Sequence, residues 1–221
     1  GECVRDVYVR RDAWDAHADV VEAARRVTRW VHPVTPEVSA ALSGDSQGIC
    51  AVASLDALSR ELPEPRVGET IVVLAQGRDP GNVGTIIRTA DAFGAVGVVA
   101  VAGTVDAASP KVVRSSAGSV FHIPVCQVAS FAEARALIHG RSAALLGTSG
   151  GAGSLSLSDL LVQGVSARSR LSQSHAWVFG NEARGLSGDE MRLCDALVSI
   201  PMTGDAESLN VASAAATCLF A

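Results

Sequence analysis

The chain has 221 residues, of which 48% are hydrophobic, and it carries 18 lysine and arginine residues against 23 aspartate and glutamate residues. This apolar fraction is typical of globular proteins and excludes intrinsic disorder. The apolar runs stop short of the roughly 18–20 residues that a membrane helix needs, and no basic-then-apolar signal segment opens the chain. The composition therefore predicts a cytoplasmic protein, without a membrane partner, that buries a substantial core in one large or two small domains.

The charge and the cysteines narrow the choice of ligands. A net charge of −5 argues against an extended basic surface for nucleic acid. Lys111 is the only lysine, so phosphate recognition would depend on a few well-placed arginines, which bind phosphate through two parallel hydrogen bonds. The five cysteines are scattered and form no C-x-x-C pair. This pattern predicts neither a zinc site nor a disulfide framework, and it favours a reducing compartment with no metal cofactor.

Residues 1–60 predict a small α/β domain. Strands are expected at residues 4–9, 31–34 and 49–55, and helical spacing of apolar residues runs between Arg11 and Trp30. Thr35 followed by Pro36 predicts the start of a second helix, with threonine as the N-cap. Because the domain opens directly on a strand, we expect it to be N-terminally incomplete. Residues 61–68, which contain two prolines and show no periodicity, predict a linker.

Residues 69–221 predict a second domain in which apolar strands alternate with helices. Strands separated by helices imply a parallel sheet that is covered on both faces. Ligands of such sheets bind outside the carboxyl ends of the strands, so the loops there are the candidate site. The predicted strands are 70–75, 96–101, 120–126, 143–147, 176–179 and 197–200, and the predicted helices are 83–93, 131–139, 187–194 and 209 to the C-terminus.

The first candidate loop and its helix span residues 76–94. Asn82 stands where a helix N-cap is expected, and the apolar residues that follow form one buried stripe. Arg88 falls outside that stripe, and a solvated helix arginine is the ordinary interpretation of such a residue. The glycine spacing matches neither the dinucleotide fingerprint nor a P-loop, which argues against an oxidoreductase or an NTPase.

Two further loops follow later strands. In residues 178–190, Glu182 stands directly after a strand, where it is either functional or a solvated turn carboxylate. In residues 200–216, Ser208 is either functional or an N-cap. Asn210 falls inside the first turn of the predicted helix, where it would have no capping role, so it favours function. The alanine run beyond it indicates close packing against a sheet or a partner subunit.

Together these loops resemble the three ordered motifs of the SpoU (TrmH) family of RNA ribose 2′-O-methyltransferases. The first reads P-G-N-V-G-x-I-x-R-T-A-x-x-F-G, the second F-G-N-E-x-x-G-L and the third I-P-M-x-G-x-x-x-S-L-N-V-A-x-A. The resemblance covers residues 67–221. The N-terminal piece is more loosely similar to the second part of the ribosomal-protein-like RNA-binding domain that precedes the catalytic domain in rRNA-directed members.

The resemblance implies a parallel sheet whose C-terminal part forms a trefoil knot, a homodimer, and S-adenosylmethionine bound within the knot. The matching catalytic positions are Asn82, Arg88, Glu182, Ser208 and Asn210. The cofactor would be bound by Thr148, Ser149, Gly150, Gly180, Leu186, Ile200, Met202 and Leu209, with the leucines and the isoleucine as apolar walls. Arg88 and Arg114 would contact RNA, although a surface helix arginine is an equally simple interpretation of Arg114.

The function that the resemblance implies is 2′-O-methylation of a ribose, with 23S rRNA as the expected substrate. A guanidinium is always protonated in proteins, so we expect Arg88 to bind phosphate and stabilise negative charge on the attacking oxygen rather than act as a base. The rRNA-directed members include thiostrepton- and nosiheptide-resistance enzymes, which makes antibiotic resistance an outcome to test. The alternatives are a tRNA methyltransferase and a non-catalytic RNA-binding dimer of the same fold.

Overall fold

The computed structural model describes residues 3–44, 46–151, 153–163 and 170–221. The chain divides into two compact units, residues 1–57 and 58–221. Across the described ranges, no helix combines the length and the apolar character that crossing a membrane requires. Residues 61–68, which the sequence predicts as a linker, lie within the second unit. There Leu62 is buried, and its carbonyl accepts a hydrogen bond of 2.8 Å from Nη2 of Arg141.

The first unit is a three-stranded sheet with helices. Its strands are β1 (Val4–Arg10), β2 (Val31–Val34) and β3 (Ile49–Ala53), in the order β2-β1-β3. β1 runs parallel to β2 and antiparallel to β3. Its helices are α1 (Ala18–Val27) and α2 (Pro36–Leu42). The buried core of this unit consists of Val7, Val9, Val21 and Ala24.

The two helices of this unit test the predicted helix ends. Thr35 caps α2 by accepting the Val38 N–H, as predicted. The helix predicted between Arg11 and Trp30 is shorter, because α1 covers only its middle and two 3₁₀ turns precede it. Thr28 ends α1 in extended backbone, and its hydroxyl donates to the carbonyl of Arg5 on β1. This contact turns the chain into β2, so Trp30 lies outside the helix.

The second unit contains a seven-stranded sheet in which every pair of neighbouring strands is parallel. The predicted parallel sheet is therefore confirmed. The strands are β4 (Thr70–Leu74), β5 (Val98–Val101), β6 (Val125–Val128), β7 (Ala144–Thr148), β8 (Leu155–Ser156), β9 (His175–Phe179) and β10 (Ala196–Ser199). Their order in the sheet is β6-β5-β4-β9-β7-β10-β8.

Helices cover both faces of this sheet. They are α3 (Pro80–Ala92), α4 (Pro110–Ser115), α5 (Phe131–His139), α6 (Leu157–Gln163), α7 (Gly188–Leu193) and α8 (Val211–Phe220). One buried cluster includes Ile86 and Cys218 and lies under α3 and α8, and a second includes Phe131 and Ile138 and lies under α5. The central strand β9 contributes to both, because its successive side chains point to opposite faces.

One strand was predicted at the wrong place. Residues 119–121 form a 3₁₀ turn, and the strand β6 begins only at Val125. Val120 is buried by this turn, so its apolar character reflects packing rather than a place in the sheet. The short elements α4, β8 and α6 were not predicted, because each is too short to show a clear periodicity.

Candidate active site

The start of α3 is fixed by Asp79 rather than by Asn82. Oδ1 of Asp79 accepts the Asn82 N–H at 2.8 Å, and Pro80 occupies the first turn. The prediction that Asn82 is the N-cap was therefore wrong. Aspartate is an equally good cap, and the proline after it marks the true first turn. The Asn82 side chain is consequently not used in capping.

Asn210 connects the third motif to the first. Its Oδ1 caps α8 by accepting the N–H groups of Ala212 and Ser213, at 2.8 and 3.4 Å. The prediction that Asn210 has no capping role was therefore wrong, because α8 begins two residues later than expected. Its Nδ2 also donates to Oδ1 of Asn82 at 3.1 Å. One amide thus starts a helix and orients a side chain that lies 128 residues away in sequence.

Glu182 fixes the loop that leads into α3. Its carboxylate accepts the backbone N–H groups of Arg78 at 3.2 and 3.4 Å and of Asp79 at 3.2 Å. Beside it, Nδ2 of Asn181 donates to the Gln76 carbonyl, and the Arg184 guanidinium donates to the Gln76 side chain. The second motif therefore positions the backbone of the first. The sequence alone gave no sign of this role for Gln76.

Arg88 lies on the exposed face of α3. The buried face of the helix carries Val83, Ile86 and Ile87. Gly84 lies against α4, where an added Cβ would come within 1.9 Å of the Ser115 hydroxyl. Within the part of the chain that the structure describes, the Arg88 side chain makes no hydrogen bond or ion pair, so its guanidinium is available to a ligand.

A tight turn shapes the second motif. Asn181 and Gly185 exchange two backbone hydrogen bonds, of 3.1 and 2.8 Å, and Gly185 adopts φ +67°. A Cβ added to Gly180 would lie 2.3 Å from the Gly185 carbonyl carbon and 2.4 Å from the Leu186 nitrogen. Only glycine lets the chain fold back this closely. The turn leaves the Leu186 side chain in the wall of a cavity.

That cavity has a volume of about 480 Å³ and lies at the carboxyl ends of β7, β9 and β10. Glu182 and Ser208 also line it, whereas Asn82, Arg88 and Asn210 are not among the described residues that form its wall. The predicted catalytic set is thus divided between the cavity, the starts of α3 and α8, and the exposed face of α3 that bears Arg88. All eight predicted cofactor residues line it: Thr148, Ser149, Gly150, Gly180, Leu186, Ile200, Met202 and Leu209.

The sequence missed several residues of the same wall. The Met191 sulfur receives a contact from the Ser149 hydroxyl at 3.7 Å. Glu207 adds a carboxylate, and in the described residues its side chain has no hydrogen-bond partner. Met191 lies outside the three motifs and Glu207 occupies an unspecified position of the third, so no motif identity marks either residue. Phe179, Val198, Val211 and Ala214 complete the apolar part of the wall.

The strands that bear the cavity are tied together by Asp195. Its carboxylate accepts the Leu145 N–H at 2.7 Å and contacts Nε2 of His139 at 2.9 Å. Partial burial raises the pKa of this carboxyl, but the hydrogen bonds from Leu145 and His139 outweigh burial, so its pKa is lowered. A charged Asp195 therefore joins the start of β10 to β7 and to the end of α5.

Arg114 lies in the last turn of α4, on the outer surface of the second unit. α4 packs against α3, the helix that bears Arg88. Arg114 does not contribute to the wall of the cavity among the described residues. Its predicted contact with RNA stays a prediction.

Comparisons with known proteins agree with these motifs. The model of the SpoU rRNA Methylase family matches residues 69–220. The chain belongs to this family. The members of this family are methyltransferases, so the chain is an enzyme of the same class.

Two curated relatives illustrate the family. The chain is similar to the 23S rRNA (guanosine-2′-O-)-methyltransferase RlmB of Bordetella pertussis, with 33% identity over 226 residues, covering 99% of this chain and 88% of the relative. It is also similar to the 23S rRNA (uridine(2479)-2′-O)-methyltransferase of Streptomyces viridochromogenes. That similarity is 39% identity over 154 residues, covering 67% of this chain and 50% of the relative.

Solved structures extend the similarity to the whole chain. The SpoU methyltransferase AviRb from Streptomyces viridochromogenes superposes with a TM-score of 0.80 at 29% identity, covering 100% of this chain and 81% of AviRb. AviRb in complex with the cofactor AdoMet gives a TM-score of 0.79 at 30% identity, covering 100% of this chain and 82% of AviRb. S-adenosylmethionine is therefore the methyl donor in the family to which this chain belongs.

Proposed function

We propose that this protein transfers a methyl group from S-adenosylmethionine to the 2′-hydroxyl of a ribose in 23S rRNA. The observation that carries the proposal is the convergence of three separate motifs at one sheet edge. There the cavity adjoins α3, whose start is held by Glu182, and the Asn82 side chain is bonded to Asn210. The names of the relatives support the substrate, and a ribosomal RNA substrate in turn supports a cytoplasmic location.

The cavity fits the cofactor in size and in chemistry. Its volume of about 480 Å³ lies within the range of small-molecule sites, roughly 300–1,000 Å³. Leu186, Ile200 and Leu209 offer apolar walls for an adenine ring. Glu207, whose carboxylate has no partner among the described residues, offers a negative charge to the cationic sulfonium and ammonium groups of the cofactor. When bound, S-adenosylmethionine supplies a methyl that bonds to the ribose oxygen while the electron pair of the broken bond stays on sulfur and the hydroxyl proton passes to solvent.

The protein's own residues contribute mainly by positioning. The ribose hydroxyl must be held in line with the methyl group, and orientation of this kind is a large part of catalysis. Arg88 would bind the adjacent phosphate and stabilise negative charge on the attacking oxygen. Asn82 and Ser208 would contact the ribose. Glu182 and Asn210 would act through their neighbours, because their side chains are engaged with backbone groups and with Asn82.

Arg114 remains our second candidate for RNA contact. It lies on the exposed surface of α4, which packs against the helix that bears Arg88. An arginine there could bind a phosphate neighbouring the one that Arg88 binds. Arg114→Ala should then weaken RNA binding without changing the affinity for S-adenosylmethionine.

We also propose that the protein acts as a homodimer with a knotted C-terminal part. Two aromatic side chains support the dimer: Phe93, directly after α3, and Phe220 of α8 stack edge to face at 5.9 Å, and Phe220 remains 79% exposed. Phe121 is also exposed, and a second copy of the chain would cover such apolar rings. The knot is supported by β10, which lies between β7 and β8 although it follows both in sequence.

The first unit would serve as the RNA-binding domain. Its three strands and two helices support the partial ribosomal-protein-like domain that the resemblance implies, and the similarity to RlmB of Bordetella pertussis extends over 99% of this chain. It would bring the substrate to the methyltransferase domain.

The experiment that tests the function is transfer of tritiated methyl from S-adenosylmethionine to unmodified 23S rRNA, with total tRNA as the comparison substrate. We expect label in 23S rRNA and binding of S-adenosylmethionine by calorimetry. Label in tRNA alone would contradict the proposed substrate. An absence of cofactor binding at millimolar concentration would instead identify a non-catalytic RNA-binding protein.

A further inference from the structure

The sheet of the first unit carries a row of stacked rings on one face. Val7 and Val9 of β1 point into the core under α1, so the intervening Tyr8 points to the opposite face. His32 of β2 is the register partner of Tyr8, and their rings stack at 5.0 Å with planes 23° apart. Trp30 lies two residues earlier and stacks with His32 at 6.2 Å and 13°. We call Tyr8, His32 and Trp30 the aromatic row.

A positive charge extends this row. The guanidinium carbon of Arg29 lies 4.8 Å from the centre of the Trp30 ring. Trp30 itself is 51% exposed. The three rings form a contiguous aromatic surface with an arginine at its end, and apolar surfaces that polar groups rim in this way are typical of binding sites.

The row is held in place before any ligand binds. The Thr28 hydroxyl donates to the Arg5 carbonyl and accepts the Trp30 N–H at 3.1 Å. The Trp30 carbonyl accepts the N–H of Val7 at 2.9 Å. Nε2 of His32 is 2.9 Å from Oδ1 of Asp6. Because the backbone and the rings are already ordered, a ligand would lose little affinity to ordering them.

The chemistry of the row fits an unpaired nucleobase better than a protein strand. Bases splayed out of single-stranded RNA stack on aromatic rings and arginine planes, whatever their sequence. β2 is the edge strand of its sheet, but Pro33 within it has no N–H to offer to an added strand. Resting on the proposed function, which makes RNA the substrate, we infer that the aromatic row together with Arg29 is a stacking platform for an unpaired base of that RNA.

The test measures binding of unmodified 23S rRNA to the full chain. Trp30→Ala should weaken binding at least about fivefold, whereas Trp30→Phe, which keeps a ring, should retain most of the affinity. Arg29→Ala should also weaken binding. Arg25→Ala is the matched control, since Arg25 likewise lies over a tryptophan, at 5.6 Å from the Trp14 ring, but outside the row. It removes the same charge and should leave the affinity unchanged.

A second readout does not depend on the folding of an alanine variant. An unpaired RNA oligonucleotide should quench tryptophan fluorescence in the wild type, and Trp30→Phe should abolish most of that quenching. A duplex of equal length should quench little. Wild-type RNA affinity in Trp30→Ala, or undiminished quenching in Trp30→Phe, would overturn the inference. A Trp30→Ala variant that is less stable to unfolding but binds RNA as the wild type does would also overturn the inference, because the ring would then serve only the packing of the unit. The proposed function fails separately, if the wild type transfers no methyl group.

Discussion

The cavity and the exposed face of α3 belong to the same unit, yet they are built in opposite ways. The cavity is lined by a tight turn and by apolar as well as polar side chains, and the backbone around it is held by internal hydrogen bonds. The exposed face of α3 presents Arg88, which has no partner among the described residues. The difference indicates two separate roles: the cavity binds the small cofactor, and the exposed face of α3 binds the RNA.

The largest effect should come from removing Arg88. Arg88→Ala should lower methyl transfer about 100- to 1,000-fold, the loss typical of one group that stabilises transition-state charge. Binding of S-adenosylmethionine, measured by calorimetry, should be unchanged because Arg88 does not line the cavity. Arg88→Lys keeps the charge but loses the planar guanidinium, so its rate of methyl transfer should lie between those of the wild type and Arg88→Ala. Loss of cofactor affinity in Arg88→Ala would show that the two regions are not separate.

The reverse separation can be made with a glycine of the cavity wall and a glycine outside it. Gly180→Ala places a Cβ 2.3 Å from the Gly185 backbone, so the turn must open and the affinity for S-adenosylmethionine should fall more than about tenfold. Gly188→Ala, at the start of α7, is the matched control, because a Cβ there meets only the end of the Arg192 side chain, at 3.5 Å. RNA binding should survive in both variants. Equal cofactor affinity in the two variants would refute the role given to the turn.

Asn210 lies where the two regions meet, and its two roles can be separated. Asn210→Asp keeps the cap of α8 but forces the Asn82 amide to turn over, so we expect about tenfold slower methyl transfer with unchanged thermal stability. Asn210→Ala also loses the cap and should cost about 1 kcal/mol of folding free energy. If Asn210→Asp is as active as the wild type, the contact with Asn82 does not serve catalysis.

The smallest effect concerns the sheet that carries the cavity. His175, at the start of β9, is buried beside Trp177, and burial lowers its pKa below the usual value near 6.5. Below about pH 6.5, His175 therefore binds a proton more readily in the unfolded chain than in the folded one. The free energy of unfolding is at its full value above that pH and decreases below it. Urea unfolding between pH 7 and 5 should show this decline, with a flatter profile in His175→Gln. An equal decline in that variant would assign it to other groups.

The sequence predicted what lies in continuous motifs and missed what depends on contacts between distant segments. The parallel sheet follows from apolar strands that alternate with helices, and the eight cofactor residues were named from the resemblance to the SpoU family. The two caps were misplaced because Asp79, Asn82, Ser208 and Asn210 are all good capping residues, and only the packed helix decides which one acts. The clamp from Glu182 to the backbone of Arg78 joins residues 104 apart, which no local pattern reveals.

The aromatic row of the first unit shows the same limit more sharply. The sequence predicts Trp30 at the end of a helix, and from that position no contact with the rings near Tyr8 can be predicted. Only the register of β1 and β2 places Tyr8 beside His32. Strand register is set by the packing of the whole sheet, so a surface of this kind leaves no motif in the sequence.

The central claim is that the methyl group is transferred to a ribose oxygen, and alkaline hydrolysis of labelled 23S rRNA tests it directly. Cleavage by alkali needs a free 2′-hydroxyl, so a methylated ribose protects the adjacent phosphodiester. We predict that tritium from S-adenosylmethionine will appear in one alkali-resistant dinucleotide. Tritium in mononucleotides that carry a methylated base would contradict the account.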